Sequence, residues 1–477
     1  MALLFMPLLF SCASYNNKLT KYYGEVRSAN FKAANNILEN SSFIKSNRNE
    51  LLYYFEKGKL YHLQKQYDSS NTYFNLADKL LETTNKNVGD VALSALTTPM
   101  NKKYLGEDFE RYLMHYYKAL NYLYLDRPNE ALVEARRITL TANYLSDYKK
   151  TGSNKYTKDA FAFNLQGIIY EVNGDINNAF IAYRNAADIY LANNGNFYGV
   201  AMPKQLMQDV LRTAQAMGLG DEQTKYTKLF NIEVNNVKAP YGEAIIFLEQ
   251  GWAPIKTEQN ITLTKIGNGT FFSYTDAYGN SVDIPFNFGY YNQLNNNTLD
   301  ASNVRMLRVA LPNYAPSSKL QQLPTIIVNG INQTPTLAYD VNSIAIATLQ
   351  ERMFTEIADA IARQLVKKMV EKGLSAGTEE VAKKNSKEKD DEKKKSNAAA
   401  AGAMAGLLVN IVNNVTEKAD TRNWQSLPAF ISYIRIPLLA GENTVQLQYG
   451  SNRKTIKYFG KQGLGLQVAS WNAKIVD

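Results

Sequence analysis

Cysteine is nearly absent from this chain: Cys12 stands alone among 477 residues. No disulfide can form within it, and a body this large needs none. Histidine is almost as scarce, with His62 and His115 the two copies. Neither belongs to an HExxH motif or has a carboxylate at ligand spacing, so the sequence indicates no metal site. GxSxG, the P-loop and the dinucleotide fingerprint are missing too, and no cofactor is expected. Adjacent carboxylates such as Glu107 and Asp108 do not fix the ~5–9 Å separation that a glycosidase requires. The chain is therefore not read as an enzyme. No apolar run reaches the ~18 residues of a membrane-spanning helix, and no basic residue precedes Lys18.

What is present begins at the N-terminus. The apolar run Ala2 to Phe10 ends in a small residue, Ser11, directly before Cys12. This resembles the lipobox of bacterial lipoproteins, in which the cysteine is diacylated, freed by cleavage and N-acylated. The resemblance makes residues 1–11 a signal peptide and Cys12 the acylated first residue of the mature chain. Three acyl chains exceed the two needed for stable anchoring. The plainer alternative is an exposed apolar N-terminus or a first buried strand. Net charge is +9 with pI near 9.1. Outside the cytosol nucleic acid is no partner, and anionic headgroups or cell-wall polymers take its place. Scattered Lys and Arg also fit a solvated surface.

Length and 45% apolar composition predict two or three folded domains. Between Leu51 and Leu81 the chain places Tyr54, Gly58, Tyr61, Ser70, Phe74 and Ala77. Between Ala160 and Tyr190 the same offsets hold Phe163, Gly167, Tyr170, Ala179, Tyr183 and Ala186. A partial copy has Ala119, Tyr122, Ala131 and Ala135. This resembles the tetratricopeptide pattern, although Lys57, Lys118 and Gln166 stand where Leu is usual and the terminal Pro is missing. Residues 12–235 are expected to be an α-helical solenoid, with pairs Tyr15–Glu39 and Lys204–Phe230 as caps. Tyr53, Tyr117, Tyr124 and Tyr190 exceed what the packing slots need. They either line a groove for a peptide or polymer or pack between repeats.

Residues 236–477 carry short strands separated by Gly- and Asn-rich turns, which predicts an antiparallel β-sandwich. One of its hairpins is expected to pair Phe430–Ile436 with Thr444–Tyr449. A long helical hairpin (342–419) interrupts it. Its first helix runs from Asn342 to Gly373, with Phe354, Ile357, Ala358, Ile361, Leu365 and Met369 on one face. Its second runs from Asn397 to Ala419. The charged stretch between them, 376–397, is expected to be a disordered loop. The second helix either packs on the first or, through Gly402 and Gly406, enters a membrane. The fold class is therefore α+β multidomain.

Two further stretches, Tyr104–Arg111 running on to Arg137 and Ala419–Pro428 running on to Gly441, resemble a poorly characterised family of Gram-negative envelope lipoproteins with repeats in the front half. The resemblance implies that Gly106, Glu110, Arg136, Asp420, Arg422 and Trp424 matter, and it supplies no catalytic residue. Paired charges near element ends account for most of them structurally: Arg111 or Arg136 would meet Glu110 or Glu134, and Trp424 would pin the second long helix to the sandwich. The expected function is a lipid-anchored periplasmic scaffold or adaptor, held to the outer membrane by Cys12, whose repeats bind another envelope protein in cell-wall synthesis or surface assembly. The inner-membrane outer face and the cell surface are the alternative locations. The alternative function is a glycan-binding or cell-wall-processing protein that uses Trp424 and the β-rich half.

Overall fold

Apolar residues at three- and four-residue spacing make the first half helical, and runs of β-branched and aromatic residues make the second half strands. The structure, a computed structural model, describes residues 15–85, 98–148, 156–235, 239–266, 271–275, 281–285, 306–320, 322–384 and 418–473. Cys12, residues 385–397 of the charged stretch, and all but the last two residues of the helix expected at 397–419 lie outside the described residues.

The helical half comprises α1 (Tyr15–Arg27), α2 (Phe31–Asn40), α3 (Glu50–Leu63), α4 (Tyr67–Asn85), α5 (Asp108–Tyr124), α6 (Pro128–Tyr148), α7 (Ala160–Val172), α8 (Ile176–Ala192), α9 (Lys204–Ala216) and α10 (Gly220–Phe230). Consecutive helices pack as hairpins, α3 on α4, α5 on α6 and α7 on α8. The two matching copies make the same contact. A Cβ on Gly58 would come within 2.5 Å of the Phe74 ring, and one on Gly167 would meet the Tyr183 ring. Between the helices the chain turns where Asp126 and Gly174 take positive φ, and Asp175 accepts the Asn178 N–H at the start of α8.

A two-strand ribbon, β1 (Asn196–Phe197) and β2 (Val200–Ala201), precedes α9. The second half carries β3 (Glu243–Gln250), β4 (Ile255–Ile266), β5 (Phe271–Thr275), β6 (Ser281–Pro285), β7 (Met306–Ala315), β8 (Thr325–Val328), β9 (Ile331–Gln333) and β10 (Thr336–Asp340). After α11 (Val341–Lys384) come β11 (Phe430–Pro437), β12 (Gly441–Tyr449), β13 (Asn452–Gly460) and β14 (Leu466–Asn472). Three four-stranded sheets result, in orders β10-β11-β3-β14, β13-β12-β8-β9 and β6-β5-β4-β7. The molecule is thus mixed α+β, helices first and sheets after.

β3 is buried almost end to end because both faces of its sheet are covered. Ile245 and Phe247, with Ile431 and Tyr433 of β11, join the helical core. Ala244, Ile246 and Leu248 face the other way and share a core with Ile326, Val445 and Leu447 of the second sheet. The third sheet packs its Leu263, Leu307 and Val309 against Ile357, Ala360 and Ile361 of α11.

Four expectations fail. The sheets are not wholly antiparallel: β14 runs parallel to β3, since both strands start at one end, where Gly242 (φ 96°) lies against Gly465. β11 and β12 are not a hairpin, because β11 pairs with β3 and β10 while β12 pairs with β8 and β13. The turn between them carries the chain from one sheet to the next. α11 continues to Lys384, so residues 376–384, expected in a loop, are helical. Phe354 leaves the apolar face of α11 and is 61% exposed, since the helix turns Ile357 and Ile361 to the sheet instead. Among the described residues no helix is long and apolar enough to cross a membrane.

Candidate functional site

The inner helices α3, α5 and α7 present the face on which a repeat array would take a ligand, and the chain's own second half covers it. Lys59 of α3 pairs with Glu249 of β3 at 2.9 Å, both buried. Tyr116 of α5 sets its ring edge against Phe247 and directs its hydroxyl to Glu249. Phe161 of α7 packs on Phe247 and Tyr339. Burial opposes the charge on Glu249, but Lys59 holds its carboxyl below the usual range. Burial and the same ammonium push His62 down to about 4, leaving a neutral ring that bonds Asn121.

The tyrosines expected in a groove are therefore divided. Tyr117 and Tyr190 are core residues, Tyr117 against Trp424 and Tyr190 against Phe197. Tyr124 is half-buried, stacks on Tyr67 and bonds Ser470 of β14 through its hydroxyl. Tyr53 is half-buried on a separate cluster with Tyr54 and Tyr73. They form no shared groove; packing took the apolar ones. Trp424 is fully buried, stacked on Phe55 at 4.5 Å, with its indole N–H given to Ser426. With its ring enclosed it cannot stack on a sugar, and it packs the second half against the helices; the long helix it was expected to hold lies almost wholly outside the described residues.

The residues marked by family resemblance gather at this joint. Gly106 takes φ 77° and leads into α5, where Glu107 and Glu110 form a reciprocal capping box. Glu107 also receives Lys256 of β4 at 2.7 Å and Arg352 of α11 at 2.6 Å, and these cations hold its carboxyl far below the usual range despite burial. Glu110 accepts the Trp424 backbone N–H and the Tyr104 hydroxyl; burial, then the neighbouring Glu107, push it up to about 7. Glu56, bonded by Tyr22 and Tyr23, is also lifted to about 7 by burial. Arg422 is buried, holds Asp420 in a fork and donates to the carbonyls of Arg48, Lys102 and Pro99. Arg136 is the exception. It is exposed, and Glu134 is met instead by Lys118, while Arg111 donates to the Leu105 carbonyl.

Sequence reading missed two further sets. Arg435 joins β11 to the helices through Glu171 and Asp209, and to β3 through Glu243. Asp159 caps α7 and accepts the hydroxyls of Tyr156 and Tyr339. The partners of Arg435, and Tyr339 against Asp159, lie too far apart in sequence to show a spacing, whereas Tyr156, Asp159 and Ala162 form a local signal.

Asp78, His115 and Glu134 bring ligand atoms within 4.8 Å of one another beside a cavity of about 510 Å³ lined by α4, α5 and α6. Their donor set suits zinc. Lys118, however, sets its ammonium 2.8 Å from Asp78 and 3.0 Å from Glu134, the position a bound cation would take. His115 gives Glu134 a 2.9 Å contact and turns its other nitrogen toward Thr141 at 3.4 Å. The arrangement is a neutralised ion network, and a metal fits it only if the lysine leaves.

No family model matches the chain, and no curated protein matches it. Among solved structures, the crystal structure of BtubC (BKLC) from P. vanneervenii aligns over 47% of this chain and 83% of that one, at 12% identity and a TM-score of 0.30. A likeness that slight carries no argument about fold or function.

Proposed function

We propose that this chain is a lipid-anchored scaffold of the Gram-negative envelope. In this reading it is tethered by Cys12, faces the periplasm from the outer membrane, and holds another envelope protein on the outside of its helical half. The helical hairpins are tetratricopeptide-like repeats, a reading supported by the matched Gly58–Phe74 and Gly167–Tyr183 contacts. The two sheets that share the Ile246–Val445 core are its β-sandwich.

The observation that carries the reading is the filled inner face. Lys59–Glu249, Phe55–Trp424 and Tyr124–Ser470 lock the two halves into one body. A partner then meets the outer helices. There a cavity of about 650 Å³ opens between α6, the start of α7 and α8, with Tyr198 and Glu351 at its rim. Asn143, Asn185, Lys158 and Asp188 offer donors and acceptors side by side, which suits a peptide main chain with charged side groups.

A photoreactive residue at Asn185 in the native envelope tests this. It should crosslink to one partner protein, and Asn185→Arg should abolish capture of that partner without loss of the scaffold. No crosslink from Asn185 removes outer-face docking. Separately, a Cys12→Ser chain that stays uncleaved and membrane-bound removes the anchor.

A further inference from the structure

Beside the Asp78–His115–Glu134 network, Leu81 of α4, Arg111 and Met114 of α5, and Leu140 and Tyr144 of α6 line the cavity of about 510 Å³. That volume falls within the ~300–1,000 Å³ of small-molecule sites. Leu81 and Met114 are buried, Leu140 is exposed, and the Arg111 guanidinium stands 5.7 Å from the Tyr144 ring. The cavity thus sets apolar walls around one cation.

Arg111 differs from five other buried cations. Lys59, Lys118, Lys256, Arg422 and Arg435 each sit against a carboxylate. Arg111 is 8% exposed, donates to the Leu105 carbonyl and has no acceptor at Nε. Among the described residues no carboxylate pairs with it. The acids around it are taken: Glu107 receives Lys256 and Arg352, and Glu110 accepts from Trp424 and Tyr104. Asp78 and Glu134 share Lys118, and Arg137 meets Asp78 and the exposed Glu82. Asp78 and Glu134 therefore balance Lys118 and Arg137, and the guanidinium of Arg111 is left over as one positive charge.

The geometry points to a site for a small organic acid, its carboxylate on the Arg111 guanidinium and its aliphatic or aromatic body between Leu81, Met114 and Leu140. A buried guanidinium that spends one N–H on a carbonyl gains most from an anion that takes several of the others together. The planar fork matches a carboxylate in that way. One unmatched cation also suits one negative charge. A phosphate monoester carries nearly two, and the same walls hold Asp78 and Glu82 to repel it. The site depends on neither the tether nor the partner proposed above.

Ligand-detected NMR on the full chain reads the site, with hexanoate and 3-phenylpropionate as probes. Both should bind, and hexanamide, alike in body but uncharged, should bind roughly tenfold more weakly. Arg111→Gln should weaken hexanoate by about ten- to a hundredfold. Arg111→Lys should lose much of that affinity too, because an ammonium keeps the charge and not the fork. Leu140→Glu places a negative charge at an exposed wall and should weaken hexanoate by a similar factor. It leaves the buried guanidinium untouched, so it repeats the test if the Arg111 variants misfold. Val133→Glu, exposed on α6 but not among the walls, should change nothing. Equal loss in Val133→Glu, or full affinity in Arg111→Gln, overturns the site. Tighter binding of hexyl phosphate than of hexanoate overturns the carboxylate and leaves a phosphate ester as the ligand class. A short peptide with a free C-terminal leucine that outcompetes both acids overturns the small acid in favour of a chain terminus. No binding of either acid by about 10 mM overturns the inference.

Discussion

Lys59 and Glu249, 190 residues apart, meet as an ion pair inside the molecule, with the Lys59 ammonium also 3.8 Å above the Tyr117 ring. This contact fastens the first sheet to the inner helices. Removing one partner leaves a buried charge alone, and Lys59→Ala or Glu249→Ala should each cost about 3–5 kcal/mol. Lys59→Met with Glu249→Leu removes both charges and should recover most of that loss. Denaturant unfolding of the four proteins reads the difference. A double variant as unstable as the singles would show that the pair's packing, not its charge balance, holds the joint.

Glu56 and Glu110 make stability fall on the alkaline side. Burial raises both carboxyls to about 7, with Glu107 adding to the rise at Glu110. The folded state therefore keeps a proton that the unfolded chain has released. Their contribution is complete below the unfolded value near 4.5 and is lost as pH climbs through 7. His62, lowered to about 4, works the other way and loses its contribution as pH falls below about 6.5. From roughly pH 6.5 to 8.5 the two carboxyls should together cost about 2 kcal/mol. Glu56→Gln and Glu110→Gln should each flatten part of that slope in unfolding midpoints measured across the window.

Gly58 and Gly167 are tight, and Gly24 is not. A methyl group at either of the first two enters an aromatic ring, that of Phe74 or of Tyr183, whereas nothing lies within 4 Å of one at Gly24. Gly58→Ala and Gly167→Ala should each destabilise by about 1–3 kcal/mol. Gly24→Ala, inside α1, should stabilise by up to about 1 kcal/mol. Thermal melts decide it, and equal effects at all three sites would deny the ring-on-glycine packing of the hairpins.

The same glycines show which parts of this fold could be read from sequence. Gly58, Phe74 and Ala77 interact within one hairpin, so their spacing exposes them. The start of α5 carries an equally local signal, since Gly106, Glu107 and Glu110 act within a few residues, but resemblance and not spacing marked Gly106 and Glu110. Trp424 was visible as important but not as buried, because Phe55 and Glu110 reach it across more than three hundred residues. The groove tyrosines misled for that reason: periodicity gives the face of a helix and not what covers it. β14 escaped attention because its partner β3 is distant and the pairing is parallel.

Arg422 should behave as a keystone with no conservative replacement. Its planar fork holds both Asp420 oxygens and, through the remaining N–H groups, three main-chain carbonyls. A lysine has one ammonium and cannot span them. Arg422→Lys should therefore cost nearly as much as Arg422→Met, on the order of 3–5 kcal/mol. Hydrogen exchange gives the more specific readout: Asn49 and Tyr104, whose N–H groups bond Ser46 and Arg48, should lose protection first. Uniform loss across the helices would mean that Arg422 supports the whole joint and not the two turns.

Lys118 should control whether Asp78, His115 and Glu134 can take a metal. Burial works against charge on Asp78 and Glu134, yet neighbouring cations, Lys118 among them, hold both carboxyls below their usual values. Both are therefore ionised and already neutralised at neutral pH. Zinc must displace the ammonium to enter, so millimolar zinc should leave the melting temperature of the wild-type chain unchanged. In Lys118→Ala the three ligand atoms stay within reach of one ion, two negative charges lose their partner, and the cavity beside them admits water as a fourth ligand. That variant should be less stable without metal and should regain a few kcal/mol with zinc at about a hundred times its dissociation constant. His115→Ala added to it should erase the gain. Zinc stabilisation of the wild-type chain to the same degree would show that the lysine moves aside freely, and that the network is a metal site held closed by a weak pair.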